Sequence, residues 1–145
     1  GVFTGKLTEV LAIVLGNLGA QDAMVVHGED GLDEITITDA TKVSRFLNGL
    51  VENFYFTPED FGVARGSVED LAGGGKEGNA EIALSILNGE KGPRRNIVLI
   101  NAAAAVMASG REPDTASAFK MARESIDSGK ALAKLQEIKR VSNSL

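Results

Sequence analysis

Eight consecutive residues, His27-Gly28-Glu29-Asp30-Gly31-Leu32-Asp33-Glu34, bring four carboxylates and the only imidazole of the chain into one short stretch. Carboxylates at this density can hold a hard divalent cation or, with the imidazole beside them, move protons. The chain has no cysteine and one histidine, so thiolate and multi-histidine metal sites are excluded. Any metal site must then be carboxylate and water, which suits Mg²⁺, an ion usually bound by one or two carboxylates plus substrate phosphates. Asp33 and Glu34 are the candidate pair. Neighbouring side chains on a regular strand point to opposite faces, so both reach one ion only from irregular backbone, which Gly28 and Gly31 permit. The competing reading is a solvated turn with Asp30-Gly31 at a hairpin tip. His27 has no paired Ser or Cys nucleophile, and a strand-end hydrogen bond is expected of it rather than general base chemistry.

The elements that must position these carboxylates flank them directly. Ala23-Met24-Val25-Val26 is a short buried-strand signal, and Ile35-Thr36-Ile37-Thr38 alternates like a half-buried strand. The carboxylates are thereby placed at a strand end, where open α/β sheets keep their ligands. Upstream, Leu7, Val10, Leu11, Val14, Leu15 and Leu18 recur at helical spacing before Gly19. With Val2-Phe3 as a first strand, this helix and Ala23 to Val26 predict a parallel βαβ unit. Downstream, Lys42 to Phe46 and Val51 to Phe56 read as further strands separated from their predecessors at Asp39-Ala40 and Asn48-Gly49, an antiparallel excursion.

Thr57-Pro58-Glu59-Asp60-Phe61-Gly62 is turn chemistry, followed by a loop to Gly75. Helices are predicted from about Asn79 to Leu87, Asn96 to Ala108, Thr115 to Asp127 with Asp114 as N-cap, and Lys130 to about Lys139. Gly73-Gly74-Gly75-Lys76 lacks the spacing of a phosphate loop, since Glu77 follows the lysine, and is read as a loop entering a helix. Arg94 and Arg95, after Gly92-Pro93, could grip an anion or form a solvated surface turn.

At 145 residues, with 43% hydrophobic and 24% charged residues, the chain has the make-up of one globular domain. A net charge of -5 without a basic stripe argues against nucleic acid as a partner. The longest apolar run, Ile97 to Ser109, is too short to cross a bilayer, so no membrane partner is expected and a cytoplasmic location is.

Taken in order, Val25-Val26-His27-Gly28, Gly31-Leu32-Asp33-Glu34, Thr57-Pro58-Glu59-Asp60-Phe61-Gly62, Gly73-Gly74, Asn79-Ala80, Gly92-Pro93, Asn101-Ala102-Ala103-Ala104 and Ile126-Asp127-Ser128-Gly129-Lys130-Ala131 resemble the C-terminal half of the anthranilate phosphoribosyltransferases. The resemblance runs nearly end to end. It implies an Mg²⁺-dependent glycosyltransferase of tryptophan biosynthesis, which transfers the phosphoribosyl group of phosphoribosyl pyrophosphate (PRPP) to anthranilate and releases pyrophosphate. The adjacent pair Asp33-Glu34 would bind the Mg²⁺ that neutralises the pyrophosphate. The family's glycine-rich pyrophosphate loop, its other substrate-contacting residues and its helical N-terminal domain, through which such enzymes form homodimers, have no match here. No catalytic or substrate-binding residue is therefore carried over.

The expected fold is α/β: residues 1–145 as the C-terminal portion of a mostly parallel-sheet catalytic domain, with a β-hairpin excursion and flanking helices. The isolated chain is expected to be inactive and to expose apolar surface. The rival readings are a nucleoside phosphorylase of the related fold and a non-catalytic binding or assembly module.

Overall fold

The computed structural model describes residues 1–144. Its architecture is mixed α/β, built from α1 (Thr8–Asn17), β1 (Asp22–Gly28), β2 (Thr41–Leu47), β3 (Leu50–Phe56), α2 (Lys76–Leu87), α3 (Pro93–Ala108), α4 (Thr115–Asp127) and α5 (Lys130–Ser142), with short 3-10 turns between them. The strands form one sheet in the order β1-β2-β3, with both pairings antiparallel.

Burial on both faces explains why strand alternation is weak in β1. Val25 points with Phe46 and Val51 toward α1, where Ala12 and Val2 complete a small apolar cluster. Val26, Val43 and Phe56 point to the opposite face and meet Ile97, Ile100, Ala103 and Ala104 of α3 in the main core. The run Ala102 to Ala105 lets helices approach closely, and α4 packs on α3 through Ala118 and Ala122. The chain is thus layered as α1, sheet, α3 and then α4. On its far side α1 leaves Val10 and Leu18 exposed, with Ile13 and Val14 beside them. A helix apolar on both sides normally has neighbours on both sides.

Two sequence expectations change. The parallel βαβ unit reduces, among the described residues, to one backbone hydrogen bond, from Val2 N–H to Val26 O at 3.0 Å. Val2-Phe3 is too short to run a ladder, and every strand pairing among the described residues is antiparallel. Ile35 to Thr38 is not a strand, and the break predicted at Asp39-Ala40 joins no hairpin. Instead residues 29–40 form one loop between β1 and β2, closed where Glu29 N–H donates to Ala40 O at 2.9 Å. Ile35, Thr36 and Ile37 are all buried, so both sides of this segment are covered and its polar groups find side-chain partners instead of a ladder.

The other elements follow their local signals, except that α2 and α3 start at Lys76 and Pro93 instead of Asn79 and Asn96, with the proline in the first helical turn, and α5 runs on to Ser142. Asn48 and Gly49 take φ of 51° and 85°, the left-handed pair that a tight β2-β3 turn demands. Phe54 and Phe56 share a face with ring centroids 5.1 Å apart, while Tyr55 points outward. Asp114 caps α4 by accepting from Ser117 N–H at 2.9 Å. Arg94 and Arg95 lie in the first turn of α3, and neither is simply solvated: Arg94 donates to Ala72 O at 2.6 Å. Arg95 is buried, donating to Asp127 Oδ1 at 2.5 Å and to Gly89 O at 3.0 Å.

Candidate metal centre

The loop between β1 and β2 is folded by one of its own carboxylates. Asp30 Oδ1 accepts from Leu32 N–H at 3.1 Å, and Oδ2 accepts from Thr36 Oγ1 at 2.5 Å and from the hydroxyl of Thr38. Thr36 in turn receives Thr38 N–H at 3.0 Å on its hydroxyl, and its own N–H donates to Thr41 Oγ1 at 3.1 Å. The loop base is tied by Gly28 N–H to Leu32 O at 2.8 Å. A Cβ on Gly28 would come within 2.5 Å of Asp30 Oδ1, so this close approach requires glycine. Burial works to raise the Asp30 carboxyl, but the hydrogen bonds from Thr36, Thr38 and Leu32 together hold it below its ordinary 3.8.

That balance gives a testable sign. A carboxylate held low in the folded state stabilises the fold above its ordinary value and loses this contribution as pH falls through the lowered one. Replacing Asp30 with Ala is expected to destabilise the chain by about 1–2 kcal/mol at neutral pH, since hydroxyl donors at Thr36 and Thr38 lose a charged acceptor. The deficit should shrink on acidification to below the ordinary value of 3.8, where the wild-type carboxylate also begins to protonate. Urea unfolding of both proteins across acidic pH measures it.

Asp30 is occupied in holding the loop; beyond it Asp33 is exposed and Glu34 half-buried. Among the described residues no ion pair engages either of them. Glu34 is partly buried, and its carboxyl is pushed above the ordinary value, first by desolvation and then by the like charges of Asp33 and Asp30. Its neighbour Ile35 is fixed from α3: Asn101 Oδ1 accepts Ile35 N–H at 2.9 Å and Nδ2 donates to Ile35 O at 2.7 Å. The same Nδ2 lies 2.9 Å from Ile97 O and 3.3 Å from Glu34 Oε2. Irregular backbone at the pair, anticipated from Gly28 and Gly31, is present. His27 lies at the end of β1, where its Nδ1–H donates to Val2 O at 2.9 Å, the strand-end role expected of it. The segment Gly73-Gly74-Gly75 leads into α2, and Gly74 N–H is capped by Asn79 Oδ1 at 2.8 Å, so its geometry is that of a helix entry.

Glu34 also stands at the rim of a cavity of about 500 Å³ between α2 and α3, whose walls include Leu71, Ile82, Ile97 and Val98. No group of three or more His, Cys, Asp or Glu side chains converges anywhere among the described residues. The candidate donor set for a cation is two carboxylates, of which Glu34 is raised by burial and by its like-charged neighbours. This suits a hard, partly hydrated ion whose remaining ligands are water or substrate oxygen. In sequence Asn101 stands out as the polar residue within the apolar run from Ile97 and as the first residue of a stretch that carries the resemblance, and Asp30 as half of an expected hairpin tip, and neither signal names its role. Sequence proximity does not distinguish the residue that builds the loop from those left free by it.

Residues 1–132 match the glycosyl transferase family, a/b domain. The chain is 50% identical over 136 residues to the anthranilate phosphoribosyltransferase of Moorella thermoacetica, covering 94% of the chain and 40% of that protein. It is 50% identical over 144 residues to that of Acetivibrio thermocellus, covering 99% and 42%. The crystal structure of anthranilate phosphoribosyltransferase from Thermus thermophilus superposes with a TM-score of 0.85 at 37% identity, over 94% of this chain and 40% of that one. The Saccharomyces cerevisiae enzyme in complex with PRPP and Mg superposes with a TM-score of 0.87 at 25% identity, over 100% and 42%. The chain thus spans about 40% of the length of these relatives, and on the match of 132 of its residues it belongs to the glycosyl transferase family, a/b domain.

Proposed function

We propose that this chain forms the Mg²⁺-binding portion of an anthranilate phosphoribosyltransferase, the C-terminal portion of its catalytic domain. Asp33 and Glu34 hold the ion, and the parent protein transfers the phosphoribosyl group of PRPP to anthranilate in tryptophan biosynthesis. The observation that carries this reading is the geometry of the pair: adjacent carboxylates on irregular backbone, with no ion pair to either among the described residues, and a Glu34 carboxyl raised by burial and by Asp33 and Asp30 against the opposing pull of the N-terminal ammonium. The yeast enzyme with which the chain superposes binds PRPP and Mg, which supports the choice of ion.

When bound, Mg²⁺ neutralises charge that develops on departing pyrophosphate. The chain's own contribution is to fix where that neutralisation happens. Asp30 shapes the loop by accepting Leu32 N–H and the Thr36 and Thr38 hydroxyls, and none of these bonds uses Asp33 or Glu34, which remain to receive a cation. No nucleophilic side chain is needed, because the amine of the acceptor substrate attacks the ribosyl carbon. The groups that grip PRPP and anthranilate belong to the remaining length of the relatives. The apolar outer side of α1 is consistent with packing against that remainder. The parent protein is read as a cytoplasmic homodimer joined through a helical domain outside this chain.

Two assays test the proposal. The 145-residue chain alone, given PRPP, anthranilate and Mg²⁺, is expected to release no pyrophosphate above background. The same chain replacing the matched segment of the Acetivibrio thermocellus enzyme is expected to support anthranilate-dependent release. Turnover by the chain alone would overturn the assignment of substrate binding to other segments. A folded but silent chimaera would overturn the assignment to this enzyme.

A further inference from the structure

The Asp33-Glu34 pair faces a mechanical problem that its own loop does not solve. Adjacent carboxylates reach one ion only if the backbone between them is held in an irregular conformation, and residues 31–39 have no strand ladder to hold it. Asp30 secures the loop on the Thr36 and Thr38 side, through hydroxyls. On the other side the first residue after the pair, Ile35, has both of its backbone polar groups bound by one side chain, at 2.9 and 2.7 Å, and that side chain belongs to α3, 66 residues away.

We infer that Asn101 is a positioning residue of the metal centre, acting as a clamp that fixes the backbone directly behind Glu34 and orients its carboxylate. This rests on the assignment of Asp33 and Glu34 as the metal pair. The amide is suited to the task because it offers an acceptor and a donor side by side, the same pairing that a neighbouring strand would present. Its two amide hydrogens are divided among three acceptors, Ile35 O, Ile97 O and Glu34 Oε2 at 2.7, 2.9 and 3.3 Å, so one hydrogen is shared. The Glu34 contact is the longest of the three, which leaves that carboxylate held in direction and free to accept a cation. Ile97 O, one turn earlier on α3, sets the direction of the amide itself, so the clamp is anchored to a helix whose neighbouring residue, Ile100, is fully buried. Asn101 touches no reacting atom; its effect passes through Ile35 and Glu34.

The test is a Mn²⁺ titration of the 145-residue chain, read by the loss of the free-ion electron paramagnetic resonance signal, for wild type, Asn101→Ala, Asn101→Gln and the double change Asp33→Asn with Glu34→Gln. Amide hydrogen exchange at Ile35 and melting temperature accompany each titration. Asn101→Ala is expected to weaken Mn²⁺ binding about 10-fold, the scale of losing a residue that orients a metal ligand, and to speed exchange at Ile35. Asn101→Gln keeps the amide but moves it by one methylene, and is expected to weaken binding at least about 3-fold, a smaller loss on the same scale, while the melting temperature stays near wild type. It remains informative if the alanine variant does not fold. Wild-type affinity in a folded Asn101→Ala or in Asn101→Gln, with binding lost in the double variant, overturns the positioning role and leaves the metal pair standing. Unchanged binding in the double variant overturns the metal pair itself and the inference with it.

Discussion

Changing Asp33 to Asn and Glu34 to Gln together, in a phosphoribosyltransferase that includes this chain, is expected to lower Mg²⁺-dependent transfer by about 10²–10³-fold, the range for removing a preorganised electrostatic group that stabilises developing charge. The two changes are nearly isosteric, so shape is kept while both negative charges go. What gives the experiment its power is that stability should move the other way. The Glu34 carboxyl is raised above its ordinary 4.5 by burial and by Asp33 and Asp30, which means that above that range the folded, metal-free state carries a charge it disfavours. Removing that charge at neutral pH should stabilise the metal-free chain, by less than about 1 kcal/mol because the site is partly open to water. Activity lost with stability gained is the pattern of a ligand. Activity lost with stability lost would mark the pair as structural, and retained activity would remove it from the site.

The largest stability effect is expected in the core beneath the loop. Ile100 is completely buried and sits in one cluster with Val26, Ile35, Ile37 and Val43. Truncation to alanine leaves a cavity among rigid neighbours from the sheet, the loop and α3, and should cost about 3–4 kcal/mol. Against a total of about 5–15 kcal/mol for a domain, this is a large fraction. Val98, two residues earlier on the same helix and 41% exposed, provides the comparison: its alanine variant should lose less than about 1 kcal/mol. Urea midpoints of the two variants report the difference. Equal losses would mean that α3 does not face the sheet as described.

The reach of each contact along the chain explains what could be read from sequence. Helix α4 was legible because its signals are local: Asp114 caps one end and Ser128-Gly129 closes the other. The turn at Asn48-Gly49 was legible for the same reason. Ile35 to Thr38 misled because its alternation is real but is satisfied differently, with the threonine hydroxyls turned to Asp30 rather than to water. A period of two identifies alternating environments, and here the second environment is a hydroxyl-carboxylate cluster at the loop surface with only Thr36 buried. The parallel unit misled because two β-branched or aromatic residues near a helix are too few to specify a ladder. In the candidate site, chemistry alone left Asp33 and Glu34 between a metal pair and a solvated turn, and it was the resemblance that pointed to the metal pair. The roles of Asp30 and Asn101 were not legible, since the first depends on hydroxyls six and eight residues away and the second on a contact that spans 66 residues.

Arg95 joins three helix ends at one point. Its guanidinium, only 5% exposed, leaves the first turn of α3 to meet Asp127, the last residue of α4, and the carbonyl of Gly89, just beyond the end of α2. A buried cation there is balanced by one carboxylate and by the negative poles of two helices. In mechanical terms this is a pivot. Helix α2 is pinned at that end, while Ile82 and Ile86 along its length form one wall of the cavity that opens beside Glu34. The ion pair thus ties the ends of three helices together at the foot of that wall, and neither of its bonds reaches the carboxylates of the loop.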